Sequence, residues 1–158
     1  MSDQFNMPNI ALLRKLGYEV DVACNFIEGN TCSDERVAEL KQKLQDMHVR
    51  CYQIDFARNI KHMGQNMRAL RQVEGLMKQN GYAFCHCHSP IGGVVARIAG
   101  HRTKTKVIYT AHGFHFYQGA PVMNWLVYYP VEKMLSRWTD VLLSLIHISE
   151  PTRPISIS

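Results

Sequence analysis

The sequence predicts an α/β fold in which a parallel sheet carries helices on both faces. Strand-like and helix-like segments alternate five times along the chain, which is typical of that architecture. The 158 residues are 46% hydrophobic and 20% charged, the composition of a soluble globular protein. Two loops rich in histidine and glycine follow predicted strands, and open parallel sheets bind ligands at the carboxyl ends of their strands.

The chain is predicted to open with a helix and a strand. Apolar side chains at helical spacing fill residues 10–16, and Gly17 is suited to ending that helix. Residues 18–24 then alternate apolar and polar side chains, as a strand does. Ser33 favours the N-cap of a second helix, because acidic residues follow it at once, beginning with Asp34.

A second strand is predicted at residues 49–54, and a long helix follows it. Methionine, leucine and valine recur at three- and four-residue steps in this helix, and we interpret the stripe as core: Met63, Met67, Leu70, Val73 and Met77. Asn80 and Gly81 supply the stop signal at its end.

The rest of the chain repeats the alternation. Strands are predicted at residues 82–86 and 106–110, with a helix that begins at Pro90 between them. A long aromatic helix at residues 122–138 leads into the start of a fifth strand at residues 140–142. Because no repeat or low-complexity linker interrupts the pattern, we predict one domain.

Composition limits the classes of protein. No apolar run reaches the ~20 residues that cross a bilayer, and the N-terminus lacks the pattern of a signal peptide, so a cytoplasmic protein is expected. Five cysteines are an odd count, and reduced thiols are therefore expected. The net charge of +5 suits nucleic acid, an anionic substrate or an anionic membrane face equally. A nucleic-acid-binding module using residues 96–106 stays an alternative, although that segment lacks interleaved aromatic residues.

The first loop carries cysteines and histidines in alternation. Along a strand, Cys85 and Cys87 fall on one face and His86 and His88 on the other, so the four do not converge on one ion. We therefore expect no metal. The alternative is a metallohydrolase built on four histidines, namely His86, His88, His112 and His115.

The same loop has the pattern of an anion site. His88 ends the strand and Ser89 is suited to cap the helix, while Gly92 and Gly93 leave the first-turn amides unobstructed. Such amides attract a phosphate or a carboxylate. The alternative is that the two glycines only let the helix and the strand pack closely.

In the second loop His112 directly follows a strand, and Gly113 removes side-chain bulk beside it. An imidazole in that position faces a cleft and is able to hydrogen-bond a hydroxyl or a phosphate. His115 lies in an aromatic turn, where stacking explains it equally well.

Longer motifs contain both loops. The runs DQFNMPNIALLRKLGYEVDVACNF, CHCHSPIGGVVARIAG and KVIYTAHGFHFYQGAPVMNWLVYYPVEKMLSRWTDVLL resemble the N-terminal half of GT-B glycosyltransferases of the family-4 type, particularly those of bacterial exopolysaccharide and capsule assembly. The resemblance covers about residues 2–142. It implies a Rossmann-like domain and sugar transfer from a nucleotide-diphosphate sugar to a saccharide or lipid-linked acceptor, with retention and without a metal cofactor.

The resemblance also implies roles for particular residues. His112 matches the histidine of the family's HG motif, which is expected to hold the transferred sugar, and it is the expected catalytic residue. The expected substrate-binding residues are Gly113, His88, Ser89, Gly92, Gly93 and Asn6.

Further expectations concern the chain ends. Family members have a strand before the segment that matches DQFNMPN, and a C-terminal domain with the nucleotide site, so the first strand and the second domain are expected to be missing. Residues 143–154, LSLIHISEPTRP, resemble a translated sequencing adapter. Residues 1–142 are thus expected to form an acceptor-side domain truncated at both ends, inactive alone, and residues 143–158 a non-native tail.

The aromatic helix is too apolar around its circumference for an ordinary surface helix. Trp125, Tyr128 and Tyr129 favour a membrane interface, so peripheral contact with the inner membrane face is expected. Packing of this helix into the core is the alternative.

Overall fold

The computed structural model describes residues 3–27, 33–57, 62–88, 90–112 and 119–144. It confirms the predicted α/β fold class, because helices and strands alternate along the chain. The elements are α1 (Asp3–Lys15), β1 (Asp21–Cys24), α2 (Asp34–Asp46), β2 (Arg50–Gln53), α3 (Met63–Asn80), β3 (Phe84–Cys87), α4 (Pro90–Thr103), β4 (Lys106–Ala111), α5 (Val122–Ser136) and β5 (Val141–Ser144).

All strand pairs in the described residues are parallel, and they form two sheets. β1 pairs with β2, whereas β4 lies between β3 and β5. The sequence predicted a single sheet, because alternation reveals the elements but not which strands are neighbours. The chain divides into two compact units, Met1–Ala69 and Leu70–Ser158.

The first unit has a small apolar core. Ile10, Leu44 and Val49 are buried together, and α2 contacts β2. Gly17 ends α1 as predicted, with a φ of +88° that favours glycine. Ser33 occupies the predicted N-cap of α2, but its side chain makes no capping hydrogen bond.

The second unit packs α4 against β3 and β4. A buried cluster fills the interior between them: Cys87, Ala96, Val107, Tyr109 and Ala111. Asp140, just before β5, accepts a hydrogen bond from the Val107 amide at 2.7 Å and donates its own amide to the Val107 carbonyl at 2.9 Å. These two bonds fix the start of β5 against the central strand.

The interpretation of the α3 stripe as core holds for only part of that helix. Leu70, Val73 and Met77 are buried, but Met63 and Met67 are 75% and 46% exposed. The spacing identified one face of a helix correctly. It did not show whether other elements cover the whole length of that face.

β5 extends beyond the predicted domain boundary. Leu143 and Ser144 lie opposite Thr110 and Ala111 in the sheet, although the sequence assigned them to the tail. Residues 145–158 lie outside the described part of the chain, so the adapter origin of the tail stays a prediction. Among the helices described, none combines the length and the apolar character that crossing a bilayer requires.

Candidate functional site

Three histidines meet at the carboxyl ends of β3 and β4. The strands are parallel, with Cys87 opposite Tyr109, so the residues that follow each strand emerge at one edge of the sheet. The ring centroids of His86 and His88 lie 4.1 Å apart, and those of His88 and His112 lie 5.8 Å apart. The structure thus brings His112 beside the histidines of β3, and we call these three residues the histidine cluster.

A hydroxyl group orients the inner end of the cluster. His86 Nε2 lies 2.8 Å from Oγ1 of Thr110, a buried residue of β4. This hydrogen bond joins the two strands through their side chains. His86 lies in β3 and His88 directly follows it, and their rings lie on the same side, as the period of two predicted. The His88 ring is therefore near the rings of both His86 and His112.

Burial keeps the inner histidines neutral. It lowers the pKa of His88 to about 4, with smaller contributions from the positive charges that His86 and His112 carry when protonated. Burial also lowers the pKa of His86. A neutral imidazole has one donor nitrogen and one acceptor nitrogen, so His88 is equipped to bind hydroxyl groups at neutral pH.

The cysteines on the other face of β3 are the partly buried Cys85 and the buried Cys87. Burial raises the pKa of Cys85 to about 11 and that of Cys87 to about 12. Because a thiol reacts as its thiolate, neither is poised as a nucleophile at neutral pH. The chemistry at this sheet edge thus falls to the histidines.

The glycines that open α4 differ in their surroundings. A Cβ added to Gly93 would lie 2.7 Å from Cε2 of Tyr109, so the close approach of α4 to β4 requires glycine there. Gly92 is half-buried in the same turn. Packing thus explains Gly93 without a ligand, and its role in substrate binding stays a prediction.

A buried arginine connects this turn to α5. Arg97 is 1% exposed, donates Nε to the Gly93 carbonyl at 3.0 Å, and forms a bidentate pair with Glu132 at 2.7 and 3.0 Å. Its guanidinium carbon lies 4.2 Å from the ring centroid of Tyr109. Arg97 thereby ties α4, β4 and α5 together.

Several predicted site residues lie outside the described part of the chain. These are Ser89, Gly113 and His115. Asn6 lies in α1, in the first unit, and its side chain is likewise outside the description. Their substrate-binding roles therefore stay predictions.

Neither alternative function gains support from the described residues. Within them, no group of three or more His, Cys, Asp or Glu side chains is arranged to hold a metal ion. In the basic segment 96–106, Arg97 is buried in its ion pair and Arg102 pairs with Glu74 at 2.7 Å. The positive charge of that segment is thus partly neutralised within the protein.

Sequence reasoning missed Thr110 and Arg97 as members of this region. Thr110 reads as an ordinary strand residue, and the period of two along β4 is the signal that aligns it with the inner histidines. Arg97 lies among small apolar residues, in GGVVARIAG, where a lone arginine signals a buried ion pair.

Comparison with known proteins identifies the family. The glycosyl transferase 4-like domain model matches residues 7–149, which is most of the chain and includes β3, α4, β4 and the histidine cluster. The chain belongs to this family. The resemblance to glycosyltransferases of the family-4 type is thereby confirmed.

One protein sequence and one solved structure are similar to this chain. EpsD of Bacillus subtilis (strain 168), a candidate glycosyltransferase, is 39% identical over 144 residues, which are 89% of this chain and 34% of EpsD. The crystal structure of MurG from Acinetobacter baumannii superposes with a TM-score of 0.59 at 16% identity, over 94% of this chain and 39% of MurG. The chain spans about a third of the length of EpsD, and the structural likeness concerns the fold alone.

Proposed function

We propose that this chain is the acceptor-side part of a glycosyltransferase. The proposed enzyme moves a sugar from a nucleotide-diphosphate sugar to a saccharide or lipid-linked hydroxyl, with retention at the anomeric carbon. The observation that carries the proposal is the position of His112 in a chain that matches the family. His112 follows β4, and its ring centroid lies 5.8 Å from that of the neutral His88. The exopolysaccharide setting and the cytoplasmic location rest on the sequence, and no metal takes part.

In this proposal the histidine cluster binds and orients the transferred sugar. His112 is exposed and donates a hydrogen bond to a sugar hydroxyl. His88 offers a neutral donor and acceptor beside it. The hydrogen bond between His86 and Thr110 holds the histidine cluster in place. Donors fixed before the reaction lower the barrier because they need no reorganisation while charge develops.

Peripheral contact with an anionic membrane is part of the proposal. Apolar side chains of α5 are exposed in the second unit, among them Trp125, Leu126, Val127 and Tyr129. Lys133 and Arg137 are exposed on and just after the same helix. Core packing within the described chain covers only Leu135 fully, so an interfacial role fits this helix better than an internal one.

The test of the function is direct detection of transfer. The product of the genomic reading frame that contains this chain is incubated with nucleotide-diphosphate sugars and saccharide acceptors. We expect the acceptor to gain the mass of one sugar residue, with release of the nucleoside diphosphate. Nucleotide-sugar consumption that yields only free sugar, or no consumption with any donor, would contradict the proposal.

Vesicle binding tests the membrane contact separately. We expect the same protein to sediment with vesicles that contain anionic lipid, and the variant Trp125→Ser/Leu126→Ser to sediment less. The control is Val22→Ala, a conservative change on β1 in the first unit. Equal sedimentation of all three proteins would contradict a role for α5.

A further inference from the structure

The end of α3 carries an asparagine that a glycine follows directly. Asn80 is the last residue of α3, and both Asn80 and Gly81 are exposed. Every other asparagine of the sequence precedes a larger residue, as Asn66 of the same helix precedes Met67. A side chain on the following residue hinders access to its backbone nitrogen, and glycine has none. The pair at the end of α3 is therefore the one in which a backbone nitrogen reaches an asparagine amide most easily.

Two hydrogen bonds close this turn in the folded protein. Asn80 Nδ2 donates to the Leu76 carbonyl at 3.0 Å, and the Gly81 amide donates to the Met77 carbonyl at 3.1 Å. Gly81 has a φ of +60°, and nothing lies within 4 Å of the position that a Cβ would take. Gly81 thus lies beside open space, while its amide is engaged in the last turn of the helix.

We propose that Asn80 is a site of spontaneous deamidation, which proceeds when the last turn of α3 opens. The backbone nitrogen of Gly81 attacks Cγ of Asn80, and the new C–N bond closes a succinimide ring. The side-chain NH2 group takes up the proton of the Gly81 amide and leaves as ammonia. Water then opens the ring at either carbonyl, which gives an aspartate or an isoaspartate. Water is the only co-reactant, and no electrons are exchanged.

The two hydrogen bonds control how often the reaction is possible. Helical side chains tilt towards the N-terminus of their helix, and the bond to Leu76 holds the Asn80 amide in that direction, away from Gly81. Both bonds have to break before Cγ reaches the Gly81 nitrogen. Opening two ordinary hydrogen bonds at a helix end reduces the reactive population about ten- to a hundredfold.

Deamidation weakens the end of α3 and its packing on α4. The product carries a negative charge at the C-terminus of a helix, where the helix dipole disfavours anions, and it lacks the Nδ2 donor to Leu76. The isoaspartate form also adds a methylene group to the backbone. Met77 lies in the same turn, is buried, and accepts a hydrogen bond from Thr103 Oγ1 of α4 at 3.4 Å. Loosening this turn therefore loosens the contact between the two helices.

The experiment follows the mass of the peptide that contains Asn80. The product of the genomic reading frame and a synthetic peptide of residues 76–84 are incubated at neutral pH and analysed by mass spectrometry, the protein after digestion. We expect the heavier form, with OH in place of NH2, to accumulate in the protein about ten- to a hundredfold more slowly than in the free peptide. Absence of the heavier form from the protein, or equal rates in protein and peptide, would overturn the proposal.

Variants and urea locate the reaction. Asn80→Gln should abolish the heavier form, because the longer side chain closes a ring on the Gly81 nitrogen far less readily. Asn66→Gln is the matched control in the same helix and should leave the rate unchanged. Urea that unfolds the protein should raise the rate to that of the free peptide. Persistence of the heavier form in Asn80→Gln, or a rate that urea does not change, would refute the proposal.

Asn80→Asp measures what the modification does to the helix end. Hydrogen exchange of the peptide that contains Gly81 should be about two- to fivefold faster than in the wild type, because the new charge opposes the helix dipole. Asn66→Asp, one turn into α3, should leave this exchange unchanged. Equal exchange in the two variants would contradict the effect on the helix end. Sugar transfer takes no part in these measurements, so their outcome is independent of the proposed function.

Discussion

The carboxyl ends of β3 and β4 and those of β1 and β2 have the same parallel backbone arrangement but different side chains. The histidine cluster follows β3 and β4, where burial keeps His86 and His88 neutral. A cavity of the first unit follows β1 and β2, where amides and an ion pair line an open space. In both cases parallel pairing brings the residues that follow two neighbouring strands to one edge of a sheet, and the two edges differ in their side chains.

The ion pairs at these two places differ in length and in burial. Arg97 and Glu132 form a short bidentate pair with Arg97 fully buried, whereas Arg68 and Asp55 form a single long contact at the surface. Burial makes the first pair structurally costly to break. Solvent screens the second pair, so that pair contributes little to stability.

The largest expected effect comes from breaking the buried pair. Arg97→Ala should lower the free energy of unfolding by about 3–5 kcal/mol, because it leaves Glu132 without its partner. Arg68→Ala should cost only about 0.2–1 kcal/mol. Urea denaturation measures both changes, and equal losses would contradict the contrast between the two regions. The double variant Arg97→Met/Glu132→Leu should recover much of the loss, since it removes both charges.

Two glycines in the second unit give effects of opposite sign. Gly93→Ala should destabilise the protein by about 1–3 kcal/mol, because its methyl group meets the Tyr109 ring under the buried arginine. Gly75→Ala should stabilise it by about 0.5–1 kcal/mol, because nothing lies within 4 Å of the added Cβ and alanine favours the helix. Thermal melting of both variants checks the signs. Stabilisation by Gly93→Ala would refute the close packing of α4 on β4.

His88 is expected to give the folded protein a pH dependence of stability. Its pKa is about 4 in the folded protein and near 6.5 when unfolded, so the unfolded chain binds the proton more readily. Stability from this group is complete above about pH 6.5 and falls as the pH drops towards 4. His88→Gln should therefore lose less stability than the wild type between pH 7 and pH 5 in urea denaturation. An identical pH dependence would show that His88 is not desolvated.

The local part of the fold was predictable from the sequence. Apolar patterns, together with cap and stop residues, located the ten elements of the described residues, and Gly17 and Gly81 mark helix ends where the backbone adopts a positive φ. Strand pairing was not predictable, because hydrogen bonds between distant segments leave no local pattern. The exposure of Met63 was not predictable either. Met63 and Met77 follow the same helical spacing, although only Met77 is buried.

The sequence revealed more about the histidine cluster than about the side chains at the ends of β1 and β2. His112 lies in a distinctive motif directly after a strand, and the period of two placed His86 and His88 on one face. Asn25 and Gln53 have no such signal, because single amides are common at strand ends and loops. Their importance comes from a hydrogen bond across 28 positions of sequence, which only the fold reveals.

The central claim is that His112 acts on the transferred sugar. Its most direct test is the kcat for sugar transfer by the product of the genomic reading frame, compared between His112→Ala and His101→Gln. His101 is the matched control, an exposed histidine in the last turn of α4 that stacks on Trp138. We expect His112→Ala to lower kcat by about 10²- to 10³-fold and His101→Gln to leave it nearly unchanged. A decrease for His112→Ala no larger than that for His101→Gln would contradict the claim.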